Sequence, residues 1–369
     1  MYINEVKIRN FRILSDSTLQ FKNDICLMIG RNNTGKTSFL VLFEKFLNGI
    51  NFTYDDFSVK VRKDILTIDE TSDENKLSIQ LILNIVYEAN DDLCNLSEFI
   101  MDLDPERKDV NILFECAINK GKLLEDLKSL GKVSKEKYIK KYITNYLDKN
   151  IYIFDTLDDL NTTNRYRLIK KDLKDIKKLI DFEIIHAKRS VSSSEEKTSI
   201  KVLSALATDY FNNKTVNALD KFEEINALIE KMDKSLETNY KTFFEDFLKN
   251  AKDFLSLDGL KIVSNLKAQE IVKDSSEVVY GNDTLQLPEY LNGLGHMNIL
   301  YLLLNIEIKK SNFINNNKDI KLLFIEEPEA HTHPQLQYIF ARKISELLKN
   351  ILERENWCQK NYGDIEIWE

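Results

Sequence analysis

Eight residues, Gly30-Arg31-Asn32-Asn33-Thr34-Gly35-Lys36-Thr37, constrain this chain more than any others. They spell G-x-x-x-x-G-K-[ST], a phosphate-binding loop, between an apolar run from Ile25 to Ile29 and an amphipathic segment from Ser38 to Phe46. That order predicts strand, loop and helix, the unit the motif requires. Gly30 and Gly35 are expected to adopt torsions closed to residues with a Cβ, so that successive N–H groups turn toward a phosphate at the positive end of the helix. Lys36 adds a charge for the β- and γ-phosphates, and Thr37 offers a hydroxyl for a Mg²⁺ shell. The chain is therefore expected to be an α/β protein that binds a nucleoside triphosphate.

With 369 residues, there is room for roughly two domains, or for one with a sizeable insertion. Charged residues make up 30% and apolar residues 43%, the balance of a soluble globular protein. No apolar run approaches a membrane span, and Met1 to Ile8 alternates like a strand instead of a signal peptide, so a cytoplasmic location without membrane association is expected. Cys26, Cys94, Cys116 and Cys358 lack metal-ligand spacing and are expected to be buried small hydrophobes. A net charge of −8 argues against a uniformly basic nucleic-acid binder.

Period-two patterns predict strands over residues 2 to 9, around Leu19 to Phe21, over Leu77 to Tyr87 and over Val110 to Ile118. From residue 120 to 149 nine lysines stand against four acidic residues at helical spacing. This is a solvated helical face or, more sharply, a surface for DNA phosphates. Ile180 to Ala187 reads as a buried strand, Ser190 to Ser199 as a loop, and Gly259 to Tyr280 as short strands. Between Val216 and Leu257 there is neither Gly nor Pro. Apolar residues including Leu219, Ile229, Met232, Phe243 and Phe247 recur there at steps of three or four, the pattern of a core-facing stripe on a long helix or helical pair. A continuous helix would reach on the order of 60 Å.

Two motifs supply the other half of a nucleotide site. Lys321-Leu322-Leu323-Phe324-Ile325-Glu326-Glu327-Pro328 is an apolar strand ending in paired carboxylates, a Walker B pattern. Glu326 is assigned to the metal shell, in a position where Asp is usual, and Glu327 is the general base for the attacking water. Gly293 and Gly295 open an apolar helix running through Leu304, a second anion-suited helix start, with His296 a helix-start residue. No N-K-x-D guanine motif is present, so ATP is the expected nucleotide.

The order of these motifs resembles that in ATP-binding cassette heads. Together with Ile8-Arg9-Asn10-Phe11-Arg12 and the run from Glu326 through Glu329-Ala330-His331-Thr332-His333-Pro334-Gln335, it resembles the ATPase domain of OLD-family (overcoming lysogenisation defect) nucleases, relatives of RecF, SMC and Rad50 heads. The resemblance implies an ABC-type P-loop head with N-terminal antiparallel strands in a mixed sheet and a large helical insertion. It divides the chain into an N-terminal lobe (1–119), a helical insertion or dimerisation arm (120–258) and a C-terminal lobe (259–369). It implies nucleotide contacts from Gly30, Asn32, Asn33, Gly35, Lys36, Thr37 and Ser38, with Arg12 approaching the nucleotide and Gly293 and Gly295 meeting the γ-phosphate held by a second subunit. Ala330 to Pro334 would lie at that junction; His331 and His333 lack the third ligand of a metal site.

OLD-family nucleases continue into a strand ending in a switch histidine and then a Toprim nuclease domain. No histidine follows Ile365 to Trp368, and Asp102-Leu103-Asp104 has a Toprim-like spelling only in an upstream loop. The expected function is a Mg²⁺-dependent ATPase head that dimerises around ATP and acts in repair, phage defence or nuclease control, with a nuclease or other effector subunit as partner. The alternative is a non-hydrolysing, ATP-gated scaffold. A transporter subunit is disfavoured by the absent L-S-G-G-Q signature, and an autonomous nuclease by carboxylates that cannot be placed.

Overall fold

Strict alternation pulls the N-terminal half of the chain into an antiparallel sheet, as a computed structural model shows. It describes residues 1–21, 26, 28–31, 33–101, 104, 106–129, 134–161, 163–186, 202–215, 219–249, 262–267, 270–271, 278–282, 285–288, 293–316, 318–328, 338, 342 and 365–366. Strands β1 (Tyr2–Phe11), β2 (Leu14–Gln20), β3 (Ile79–Val86), β4 (Asp109–Ile118), β5 (Leu147–Phe154) and β6 (Ile169–Lys171) form a six-stranded sheet in the order β2-β1-β3-β4-β5-β6. On β3, Ile79, Leu81, Leu83 and Ile85 enter the main core, whereas Gln80 and Ile82 turn to the opposite face. Period two thus assigns each residue its side. On that opposite face the buried Glu115 carboxylate is paired with Arg165 and accepts from Ser78 Oγ and Gln80 Nε2, which satisfies the charge out of water.

Helix α1 (Lys36–Leu47) follows the phosphate loop, and α2 (Val59–Leu66) precedes β3. The basic segment after β4 forms α3 (Lys120–Ser129) and α4 (Lys135–Tyr142), with Lys135, Lys137, Lys140 and Lys141 exposed. Helix α5 (Leu173–Leu179) leads directly into β7 (Ile180–Ile185). A second sheet, all parallel, orders as β11-β10-β7, with β10 Ile320–Ile325 and β11 Ile365–Glu366. The expected mixed sheet is therefore resolved into one antiparallel and one parallel sheet. Every residue of β10 is buried, Lys321 included, and the other five are apolar, as in a strand covered on both faces.

The chain divides into two compact units. The first comprises Met1–Ala187, Asn316–Pro328 and Ile339–Glu369; the second comprises Lys188–Asn315 and Glu329–Tyr338. The boundary drawn from sequence at residue 119 falls inside the first unit, because β5 and β6 continue the antiparallel sheet beyond the basic helices. Charge bias masked those strands; cross-strand pairing of β5 with β4, and of β6 with β5, made them.

In the second unit are α6 (Val202–Thr215), α7 (Leu219–Phe243), the hairpin β8 (Val279–Asn282) and β9 (Leu285–Pro288), and α8 (Leu294–Asn316). Helix α7 is 25 residues long, about 37 Å, followed by a turn at Phe244 and helical residues 245–249. Its stripe is only partly core. Ile229 is buried, but Met232, Phe243 and, beyond the helix, Phe247 are exposed, as is Leu228 beside the stripe. Of the short strands expected from 259 to 280, the described residues show β8 beginning at Val279 and irregular chain over 262–267. Helix α8 runs to Asn316, well past Leu304, since the polar residues after Leu304 carry no helix breaker. Cys26 and Cys116 are buried, but Cys94 is exposed, which corrects its expected burial. The serine-rich loop lies outside the described residues.

Four aromatic rings fasten α1 to the parallel sheet. Phe39 and Phe43 lie 5.9 and 5.1 Å from Phe324 of β10, and Phe43 lies 6.2 Å from Phe182 of β7. Replacing Phe43, fully buried among them, with Ala removes dispersion contacts and leaves a cavity. Phe43→Ala is expected to cost about 3–5 kcal/mol of unfolding free energy in denaturant titrations.

Candidate nucleotide-binding site

The phosphate loop ends in a left-handed glycine. Gly35 has φ +106° and serves as the N-cap of α1, while Phe39 N–H bonds back to its carbonyl at 2.8 Å. A Cβ at Gly35 would stand 2.7 Å from Leu14 Cδ2 and 2.9 Å from Ile13 Cγ2, so the residue is required by both torsion and space. Gly30 differs from expectation. It is not in the positive-φ region; instead a Cβ there would approach Thr34 Oγ1 to 2.8 Å. Asn33 supplies another left-handed turn at φ 66°, and Asn32 lies outside the described residues. The first turn of α1 has no acidic residue, which leaves the positive end of the helix for an anion.

Lys36 Nζ donates to Gly30 O at 2.5 Å, which holds the ammonium over its own loop. Ser38 follows in the first turn of α1. The apolar run before the loop does not form a strand at its described positions: Cys26, Met28 and Ile29 are irregular, and Ile29 is 80% exposed. No strand pairing at those positions competes with the loop's own turns.

Glu326 and Glu327 follow β10 directly. Glu326 N–H donates to Ile185 O at 2.8 Å, so the parallel pairing of β10 with β7 extends to the first carboxylate. Thr37 Oγ1 donates to Glu326 Oε1 at 2.6 Å, across 289 residues of sequence. Glu327 has φ 44°, a strained torsion for a residue with a Cβ, and is exposed beyond the strand end. The structure joins Thr37 to Glu326, while Lys36, the residue before Thr37, turns to Gly30 O.

Sequence reasoning overlooked His186. It follows β7 at the position beside Glu326, with Nδ1 3.7 Å from Glu326 Oε2 and Nε2 3.6 Å from Glu44 Oε1 of α1. The signal was a polar ring directly after a strand that alternates apolar and acidic residues, but only pairing with β10 gives it meaning.

Arg12, expected at the nucleotide, directs its guanidinium to Asp56 Oδ1 through Nε at 3.1 Å and Nη2 at 2.9 Å. Lys45 Nζ lies 3.0 Å from the other Asp56 oxygen. Burial alone would raise the Asp56 carboxyl, but the Lys45 hydrogen bond, the Thr53 N–H, the Lys45 charge and Arg12 outweigh it and hold it below its ordinary 3.8.

In the second unit, Gly293 is exposed and accepts from His296 N–H and Met297 N–H, and Gly295 lies in the first turn of α8. His296 is thus a helix-start residue, as expected. Asp104 lies in a turn, where it accepts from Glu106 N–H. Ala330 to Pro334, with His331 and His333, lie outside the described residues. No helix among the described residues is long and apolar enough to cross a membrane.

A glycine-turned loop at a helix start, with its threonine bound to a carboxylate that ends a buried parallel strand, defines a P-loop nucleotide-binding protein. Over residues 1–351 the chain matches the AAA ATPase domain family, and it belongs to that family. Endonuclease GajA of Bacillus cereus (strain HuB5-5) is 22% identical over 400 residues, covering 96% of this chain. The chain spans 56% of the length of that relative. The expected resemblance to ATPase domains of ATP-dependent endonucleases agrees with both findings.

Among solved structures, the chain is similar to an SMC head bound to the C-winged helix domain of ScpA, at 11% identity and TM-score 0.42, covering 100% of this chain and 89% of that one. It is also similar to the recombination mediator RecF with ATP, at 11% identity and TM-score 0.37, covering 100% and 93%.

Because the Asp56 carboxyl is held down in the folded state, its contribution to stability is present above the unfolded value and is lost as pH falls through the folded one. Asp56→Asn strands two cations and is expected to cost about 3 kcal/mol at pH 7. Denaturant melts as a function of pH should show the gap between wild type and variant closing below about pH 4.

Proposed function

We propose that this chain is an ABC-type ATPase head that binds ATP at the loop from Gly30 to Ser38, hydrolyses it with Mg²⁺, and works as a dimer in a DNA-related process. The observation that carries this reading is the 2.6 Å bond from Thr37 Oγ1 to Glu326 Oε1. A hydroxyl and a carboxylate oxygen converge beside the phosphate loop, the hard-oxygen chemistry Mg²⁺ requires. Thr37 and Glu326 would hold the ion, which when bound neutralises charge on the β- and γ-phosphates.

Backbone N–H groups at the start of α1 bind the phosphate chain, and Lys36 exchanges its contact with Gly30 O for phosphate oxygens. Glu327 takes a proton from the water that attacks the γ-phosphorus, and ADP leaves. Arg12 acts through Asp56 and the turn beneath Gly35, holding the loop in shape. Gly293 and Gly295 at the start of α8 are assigned to the γ-phosphate of a second copy's nucleotide. The exposed Leu228, Met232 and Phe243 of α7, with Phe247 in the helical residues after it, support an arm that meets a partner. The relative named an endonuclease supports action on DNA or control of a nuclease subunit. The exposed lysines of α4 offer phosphate contacts.

ATP binding and phosphate release by the purified chain test this reading. Lys36→Ala is expected to lower ATP affinity at least about tenfold. Glu327→Gln should keep binding and slow hydrolysis by about a hundredfold or more; chelation of divalent cations should stop turnover. Unchanged turnover in both variants would refute the site.

A further inference from the structure

Helix α1 meets the parallel sheet through two polar side chains on one face. Thr37 and Glu44 are seven residues apart, two helical turns, and therefore lie on the same side of the helix. Each finds a partner at the end of a neighbouring strand: Thr37 binds Glu326 after β10, and Glu44 faces His186 after β7. The two strands are in parallel register, Ile325 opposite Ile185, so Glu326 and His186 are side by side. Thr37 engages one oxygen of Glu326, Oε1, while His186 Nδ1 stands 3.7 Å from the other, Oε2. Glu326 is 14% exposed and Glu44 21%, whereas the His186 ring is 45% exposed and open to solvent on its free side.

We propose that His186 is a positioning residue for Glu326. It fixes the carboxylate from the side opposite Thr37 and is itself oriented by Glu44, so that the metal-shell oxygen is aimed at the phosphate loop. Residues behind a metal ligand set its rotamer, and their loss commonly weakens metal binding while leaving the fold intact. Glu326 carries one more rotatable bond than the Asp usual at this position, so it has more side-chain orientations to restrict. Glu44, His186 and Glu326 do not themselves form a metal cage, since the imidazole presents its two nitrogens to different carboxylates. Among the described residues no such cluster is found.

The inference rests on the Mg²⁺–ATP reading of the site, and the experiment separates the two. Mn²⁺ binding to the full chain is followed by electron paramagnetic resonance in the presence of a non-hydrolysable ATP analogue. Binding of a fluorescent ATP analogue is measured separately in EDTA. His186→Ala is expected to weaken Mn²⁺ binding by about tenfold or more, with metal-free nucleotide binding unchanged. His186→Asn, which retains a side-chain donor, should recover part of the loss. Glu44→Gln should weaken Mn²⁺ binding less, and add nothing in the double variant with His186→Ala, because both act through one carboxylate. Mn²⁺ affinity unchanged in His186→Ala, while Lys36→Ala still weakens nucleotide binding, would overturn the positioning role. Nucleotide binding unaffected by Lys36→Ala would overturn the site reading, and this inference with it.

Discussion

Everything at the site depends on how α1 is pressed against the end of the parallel sheet. Phe39 and Phe43 pack on Phe324 and Phe182, so the helix that begins with the phosphate loop is fixed on the strands that end in Glu326 and His186. The aromatic contacts bury large apolar side chains at this junction. The polar contacts beyond them, Thr37 with Glu326 and Glu44 near His186, set rotation and register. A hydroxyl–carboxylate contact between residues 289 apart is affordable only because that packing has already fixed both partners.

The same helix is anchored at its other flank. Lys45 is nearly buried and shares Asp56 with Arg12, which sits at the turn between β1 and β2. Ile13 and Leu14 of that turn lie against Gly35. The phosphate loop is thus braced from below by the turn and from its C-terminal side by α1, and one buried carboxylate links the two supports. Arg12 is thus bound to Asp56 in the frame around the loop.

Much of this was legible in the chain. The Gly35-Lys36-Thr37 turn and helix start, the buried strand before Glu326, and the alternating strands β1, β3 and β4 follow from local spacing and period. What failed was reading where local composition competed with pairing. Lysine-rich sequence hid β5, whose partner is β4, and β6, whose partner is β5; an apolar run suggested a strand from Ile25 to Ile29, where Met28 and Ile29 are irregular. Gly30 is required for the space beside Thr34, not for a left-handed torsion, and no pattern distinguishes those needs.

By itself the sequence determined the class of site, because phosphate recognition uses backbone groups whose geometry a few glycines and one lysine dictate locally. It also determined which carboxylates end the buried strand. Only the tertiary structure decided that Glu326 meets Thr37, that Arg12 turns to Asp56, and that His186 stands beside Glu326. Those choices join residues far apart in the chain, and they are made by strand register and by which face of α1 the aromatic rings hold down, neither of which is written in any single segment.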